Sequence, residues 1–322
     1  MRTWSWFWSG RIPNWRANAP GLRTWPSSKK SRWIAAHQAV RAGAAWFGVT
    51  VSAVCRQVGI TRQNYYARRR QRQRREVDAG LVVQLVRAER RLQPRLGTRK
   101  LYVMCQGALV EAEVKMGRDA FFEVLRQHGL LLAPRPAAYP RTTQSDHGLP
   151  VFTNRVKDLE VTGPNQVWVG DLTYVRTVLG FLYLALLTDK YSRKIVGYHC
   201  ADTLEAEGCL QALEMALARL PPGVRPLHHS DRGTQYCCHE YVDRLVESGL
   251  GISMTEIQHC AENALAERMN GILKSEYGLD QEFPCKPSAR RAADQAVYLY
   301  NTRRPHTALG YRTPEAVHAG VA

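Results

Sequence analysis

Hydrophobic and polar positions follow two rhythms along this chain. From residue 166 onward, three runs rich in Val, Leu, Tyr and Thr come in succession: Gln166–Val175, Phe181–Tyr191 and Lys194–Cys200, with turn residues Gly180, Ser192 and Arg193 between them. Runs of this kind predict consecutive strands joined by tight turns. Helical spacing then alternates with short strand runs. Leu204–Leu220 is an amphipathic helix stopped by Pro221 and Pro222, Pro226–Ser230 a strand, His239–Ser248 a helix closed by Gly249, and Gly251–Thr255 a strand. Asn263–Tyr277 and Ser288–Thr302 are further helices. Three antiparallel strands followed by α/β crossovers predict an α/β fold: a ribonuclease H-like, mixed five-stranded sheet with helices on both faces.

Before residue 133 the rhythm is helical only. Ala35–Phe47 reads as a helix, Ser52–Val58 as a second with Ser52 at its N-cap, and Thr61 caps a third that runs to about Gln73. Gly59 in the tight turn gives helix–turn–helix spacing. Leu81–Leu92, Thr98–Gln106 and Arg118–His128 form a second helical unit, broken by Pro94 and Gly97 and ended by Gly129. Pro134, Pro136, Pro140 and Pro150 then mark an extended linker. The expected organisation is a disordered extension over 1–35, a helix–turn–helix over 36–75 and a second helical unit over 79–132. A linker over 133–160, a catalytic core over 161–280 and its terminal helix and tail over 281–322 complete it.

Charge divides the chain at the same place. Residues 1–150 hold 27 Lys/Arg against 8 Asp/Glu, whereas residues 151–322 hold 18 against 20. A basic half on a near-neutral half predicts a polyanion-binding module joined to something else, and all-α helix–turn–helix DNA-binding units fit that role. Arg62, Asn64, Tyr65, Arg68 and Arg69 would begin the recognition helix; Arg99, Lys100 and Arg118 would give the second unit its basic face. Seven of the eight Trp lie between Trp4 and Trp46, in an Arg-rich start that has neither the length nor the continuity of a secretory signal. No run approaches eighteen apolar residues, so no helical membrane span is predicted. The eight Cys form no C-x-x-C pair and no disulfide framework, as expected of reduced thiols in a cytoplasmic protein. His228, His229, Cys237, Cys238 and His239 cluster, but without zinc-ligand spacing.

Three acids carry the candidate chemistry. Asp171 stands mid-strand among apolar neighbours, an unfavourable place for a carboxylate unless a cation or strong donors compensate it. Asp231 closes a short strand before Gly233, and Glu267 follows it after an interval of 35 residues. Asn263, Glu267, Asn270 and Lys274 form a polar stripe on one helix, with Lys274 about 10.5 Å beyond Glu267. Three carboxylates can hold two Mg²⁺ or Mn²⁺ ions about 4 Å apart, a site for cutting and joining phosphodiesters. No G-x-x-x-x-G-K-[ST] loop is present to suggest ATP hydrolysis.

At this point the chain resembles the insertion-sequence transposases of the IS-three group, the OrfB-type product with a retroviral-integrase-like DDE core. The likeness covers roughly residues 45–317 and rests on five blocks in order: Trp168–Tyr174, Asp189–Gly197, His229–Tyr236, Asn263–Glu267 with Gly271–Lys274, and Tyr300–His306 with Leu309–Tyr311 and Thr313–Pro314. The resemblance implies that Asp171, Asp231 and Glu267 are the catalytic and metal-binding triad. It implies DNA strand cleavage and strand transfer at terminal inverted repeats and target DNA, in a bacterial cytoplasm at the nucleoid. It further implies an OrfA-type partner and, since two ends must be joined, self-association on DNA. Lys274, Asn263 and Asn270, with Arg303, Arg304 and His306 of the terminal block, are then expected at DNA. Two rivals stand beside this reading: a nuclease of the same fold that cuts without joining, and a DNA-binding remnant without activity.

Overall fold

The computed structural model describes residues 50–133, 148–256 and 263–320, together with Ile34 and Gln38. Most of the expected extension and of the expected helix Ala35–Phe47, and the proline-rich centre of the expected linker, lie outside the described residues. The chain divides into two units, residues 1–80 and 81–322.

In the first unit, α1 (Val51–Val58) is capped by Thr50, whose hydroxyl accepts from the Ala53 amide, and not by Ser52. Gly59 closes α1 at φ 70°, a left-handed conformation that glycine adopts without a Cβ clash. The Thr61 hydroxyl accepts from the Asn64 amide and starts α2 (Arg62–Leu92) as expected. That helix does not stop near Gln73. It continues for 31 residues, because the interval to Leu81 contains one glycine and no proline, and the i,i+4 pair Arg72–Glu76 spans part of it. Cys55 and Tyr65 are buried together against Val51 and Ile60.

The second unit opens with the end of α2, followed by α3 (Thr98–Glu111) and α4 (Arg118–Gln127). Val82 and Val86 pack with Leu96, Leu101, Cys105, Leu109, Phe121 and Leu125 to close a small helical core. Thr98 is the first helical residue and not the cap; Gly97 occupies the cap position without a side-chain bond.

The sheet follows the expected order. Strands β1 (Val167–Thr177), β2 (Gly180–Asp189) and β3 (Ile195–Ala201) pair antiparallel, and β4 (Leu227–Ser230) and β5 (Gly251–Met254) add in parallel. The strand order is β3-β2-β1-β4-β5, the ribonuclease H-like arrangement. The period-2 alternation of β2 sends Ala185 and Leu187 to one face and Leu182, Leu184 and Leu186 to the other. The first face is covered by α5 (Glu207–Leu217), the short α6 (Thr234–Cys237) and α7 (His239–Glu247), through Ala212, Leu213, Tyr236 and Tyr241. The second is covered by α8 (Ala264–Tyr277) and α9 (Lys286–Thr302), through Met269, Ile272, Leu273, Ala293 and Tyr300. A Cβ at Gly197 would lie 2.1 Å from the Ala212 carbonyl, so the close seating of α5 on β3 requires glycine there. Asn301 accepts from the Ile195 amide and donates to its carbonyl, both at 2.9 Å, and so pairs the edge strand as another strand would. The tail ends in α10 (Pro314–His318), tied to the β2–β3 turn through Lys194–Glu315 at 2.8 Å. Within the stretch expected as linker, Val156 is buried against Val167 and Val169.

Candidate active site

Parallel pairing of β1 with β4 places the first two acids side by side. Val169 is opposite His229; Asp171 and Asp231 each lie two residues further along, so both leave the sheet at the same level. Asp171 points to the face that α8 covers, because it shares its parity with Val169 and Val175. There the Asn270 side-chain amide donates to Asp171 Oδ2 at 2.6 Å, and the Leu172 amide donates to Oδ1 at 2.9 Å. Asp231 Oδ1 accepts from the Gly233 amide at 3.0 Å. Glu267 is exposed on α8, one turn before the buried Asn270.

The electrostatics of this corner are unfavourable to charge. Burial pushes the Asp171 carboxyl up to about 7, Asp231 and then Glu267 push the same way, and the Leu172 and Asn270 donors oppose them without prevailing. Among the described residues, no three His, Cys, Asp or Glu side chains already converge as a metal cage. The three acids share a field, and their donor atoms are all oxygens, the set that hard divalent cations prefer. Burial lowers the Lys274 ammonium, while Asp171 and Asp280 oppose that shift. Lys274 Nζ lies 4.1 Å from the centre of the Tyr174 ring.

The floor beneath the acids is apolar and tight. A Cβ on Gly170 would lie 3.1 Å from His228 Nε2 and 3.3 Å from the Tyr236 ring. Burial lowers His228 to about 3, so its ring is neutral, and its Nε2 lies 2.9 Å from the Tyr241 hydroxyl. The neighbouring side chains weighed as zinc ligands have other partners: His229 Nδ1 lies 2.9 Å from Ser253 Oγ, Cys237 faces Met254 Sδ, and Cys238 faces the Gln235 carbonyl.

Several residues expected at DNA are placed elsewhere. Tyr65 is 1% exposed and forms the core of the first unit. Asn263 is buried and donates to the Gly170 carbonyl at 3.4 Å, and Asn270 is turned to Asp171. Arg304 is 2% exposed and donates twice to Glu276; Lys100 donates to the same carboxylate, and Arg303 donates twice to Glu89. Burial first, then Arg304 and Lys100, lowers His306 to about 4, which leaves a neutral ring unsuited to a phosphate contact at neutral pH. Exposed positions remain at Arg62, Asn64 and Arg69 in the first unit, with Arg68 half-buried, and at Arg99 and Arg118 in the second. Arg118 there pairs with the exposed Asp119. The composition of the chain announced the cations but not the acids that would claim them.

The chain is similar to several known proteins. An integrase core domain family matches residues 161–260, and a second integrase core domain family matches 248–314. The "Insertion element IS600 uncharacterized 31 kDa protein" of Shigella sonnei is 35% identical over 82% of this chain and 96% of its own length. The "Transposase InsF for insertion sequence IS3A" of Escherichia coli (strain K12) is 31% identical over 83% of this chain and 93% of its own length. Among solved structures, the HTLV-2 integrase catalytic core domain in complex with magnesium (trimeric form) aligns with 49% of this chain and 99% of its own, at 21% identity and a TM-score of 0.40. With its ribonuclease H-like core and relatives matched over nearly their full length, the chain belongs to the IS3-family insertion-sequence transposases, polynucleotidyl transferases that act in DNA transposition and integration.

Proposed function

We propose that Asp171, Asp231 and Glu267 are the catalytic carboxylates of this transposase and that together they hold two Mg²⁺ or Mn²⁺ ions. The carrying observation is the coupling of the three acids. Two leave adjacent parallel strands at one level, and the third raises the proton affinity of the first from the covering helix. Such a cluster is stabilised by a divalent cation, and the all-oxygen donor set fits Mg²⁺ or Mn²⁺. The ions supply activation of a water or 3′-hydroxyl and charge stabilisation on the leaving oxygen.

The chain's own residues do the rest. Asn270 orients Asp171 through its amide donor. Lys274, parked over Tyr174, holds a phosphate of the DNA end. Arg62, Asn64, Arg68 and Arg69 of the first helical unit, and Arg99 and Arg118 of the second, bind the terminal inverted repeats, mostly through phosphates. An OrfA-type partner and a second copy of this chain complete the assembly on paired ends and target DNA, in the bacterial cytoplasm.

The test is a strand-transfer assay with a labelled element end and plasmid target, with Mg²⁺ or Mn²⁺, using the wild type and Asp231→Ala. Metal-dependent joining that vanishes in the variant is expected. Cutting without joining would replace the reading with a nuclease. Joining that survives in Asp231→Ala would remove Asp231 from the site.

A further inference from the structure

Three segments far apart in the chain meet at the carboxyl-terminal end of α8. Arg304, just beyond α9, donates through Nε to Glu276 Oε2 and through Nη2 to Oε1, each at 2.8 Å. Lys100 of α3 donates to the same Oε1 at 2.8 Å, and the Arg95 amide donates to the Glu276 carbonyl at 3.2 Å. Beside this group, Arg303 donates to both oxygens of Glu89 at 2.8 and 2.7 Å. The Gln93 amide donates to Glu89 at 2.8 Å, and the Tyr277 hydroxyl donates to Gln93 at 2.9 Å. Gln93 is fully buried, and the Glu276 side chain is 16% exposed.

Lys100, Arg303 and Arg304 each have a carboxylate within hydrogen-bond reach. All three were expected at DNA, Lys100 from the basic face of its unit and Arg303 and Arg304 from the family resemblance, yet each is already engaged by Glu276 or Glu89 inside the unit. Glu276, held by Arg304 and Lys100, and Tyr277, held by Gln93, lie in the last turn of the helix that carries Glu267 nine residues before Glu276, about 13.5 Å away. The amino-terminal side of the same network is the helical module that presents Arg99 and Arg118.

We propose that this network is a positioning lock. It fixes the helical module to α8, so that DNA gripped by the module meets the acids at one defined phosphodiester. Lys100, Glu276, Arg303 and Arg304 are positioning residues; none touches the reacting atoms. The inference rests on the reading that the module's exposed arginines contact DNA.

The experiment uses the full chain, a labelled duplex carrying the terminal repeat of its own element, and Mg²⁺. Lys100→Met and Arg303→Met are chosen because Glu276 keeps Arg304 and Glu89 keeps Gln93, which preserves folding. The salt dependence of binding separates lock from ligand. Arg99→Ala and Arg118→Ala each lower the slope of log K against log salt by about 1. Lys100→Met and Arg303→Met leave it unchanged. Cuts mapped to the nucleotide then spread to neighbouring phosphates in the lock variants, with the rate at the original phosphate falling about a hundredfold. Amide exchange at Glu276 and Tyr277, which needs no activity, speeds up in the same variants. A slope that falls in Lys100→Met or Arg303→Met makes them DNA ligands and overturns the lock. An unchanged cut site or unchanged exchange also overturns it. An unchanged slope in Arg99→Ala and Arg118→Ala overturns instead the reading of the module as a DNA contact.

Discussion

Helix α8 carries two glutamates at opposite ends with opposite surroundings. Glu276, at the carboxyl-terminal end, would be raised by burial, but the hydrogen bonds and charges of Arg304 and Lys100 hold it below the usual carboxylate range. Burial draws the Lys100 ammonium down more than Glu276 raises it, so the guanidinium of Arg304 is the firmer partner. Toward the other end stands the exposed Glu267, and burial first, then the charges of Asp231 and Glu267, drive Asp171 upward. One end of the helix has its charge balanced by protein; the other concentrates like charge. Balanced carboxylates hold structure together, whereas crowded ones are held at a cost in stability that a cation relieves.

The strongest way to break this comparison is Asp171→Asn. Cleavage and strand transfer should fall by about a thousandfold or more, about 4 kcal/mol at the barrier. The same change should raise the metal-free unfolding midpoint, because the like-charge cluster loses a member; calorimetry of both forms reads it. A lower midpoint would mean that the cluster is not repulsive.

Glu276→Gln should do the reverse, lowering stability by about 3 kcal/mol in denaturant unfolding, since it leaves the buried Arg304 without its carboxylate. The two acids also impose opposite pH dependence. Asp171 binds its proton more tightly folded than unfolded, so its effect is a loss of stability as pH rises from about 4 to about 7. Glu276 binds its proton less tightly folded, so its contribution is present above the unfolded value near 4.5 and is lost as pH falls through the lower folded value. A midpoint scan against pH in metal-free protein should therefore lose its decline between pH 4 and 7 in Asp171→Asn and keep its acid limb. Retention of the decline would assign it to another group.

Smaller effects sharpen the picture at the site. Asn270→Ala removes the amide that holds Asp171 Oδ2 and should lower the rate of strand transfer 10- to 100-fold, on the order of other outer-shell losses, with DNA affinity unchanged. An affinity loss with normal rate would return Asn270 to the DNA surface. Tyr174→Leu takes away the ring beneath Lys274, worth about 0.5–1 kcal/mol, and should change DNA affinity only severalfold in a binding titration.

Much of the sheet was legible because its physics is local. The alternation in β2 and the turn residues around it fix which side of each strand is buried, and Asp171 drew notice as a charge where strands avoid one. Local signals also misled. By residue type Ser52 is the better cap, and only the chain path selects Thr50. The weak interval from Gln73 to Leu81 reads as a break until flanking helix carries through it. The lock was illegible for a different reason. Arg303 meets Glu89 across 214 residues and Lys100 meets Glu276 across 176, and charge counting along a chain cannot register partners so distant. Tyr65 likewise follows a basic-helix pattern, while its burial depends on Cys55 in the preceding helix.

That long reach has a consequence for synthesis. The helical core of residues 81–133 is complete in the emerging chain long before Arg303 and Arg304 are made. At about 5–20 residues per second, roughly ten to thirty seconds of translation separate the two events. The parts proposed to grip DNA are therefore made while the cutting site is still being assembled, and on that proposal a newborn chain would gain its hold on nearby DNA before it gains the means to break it.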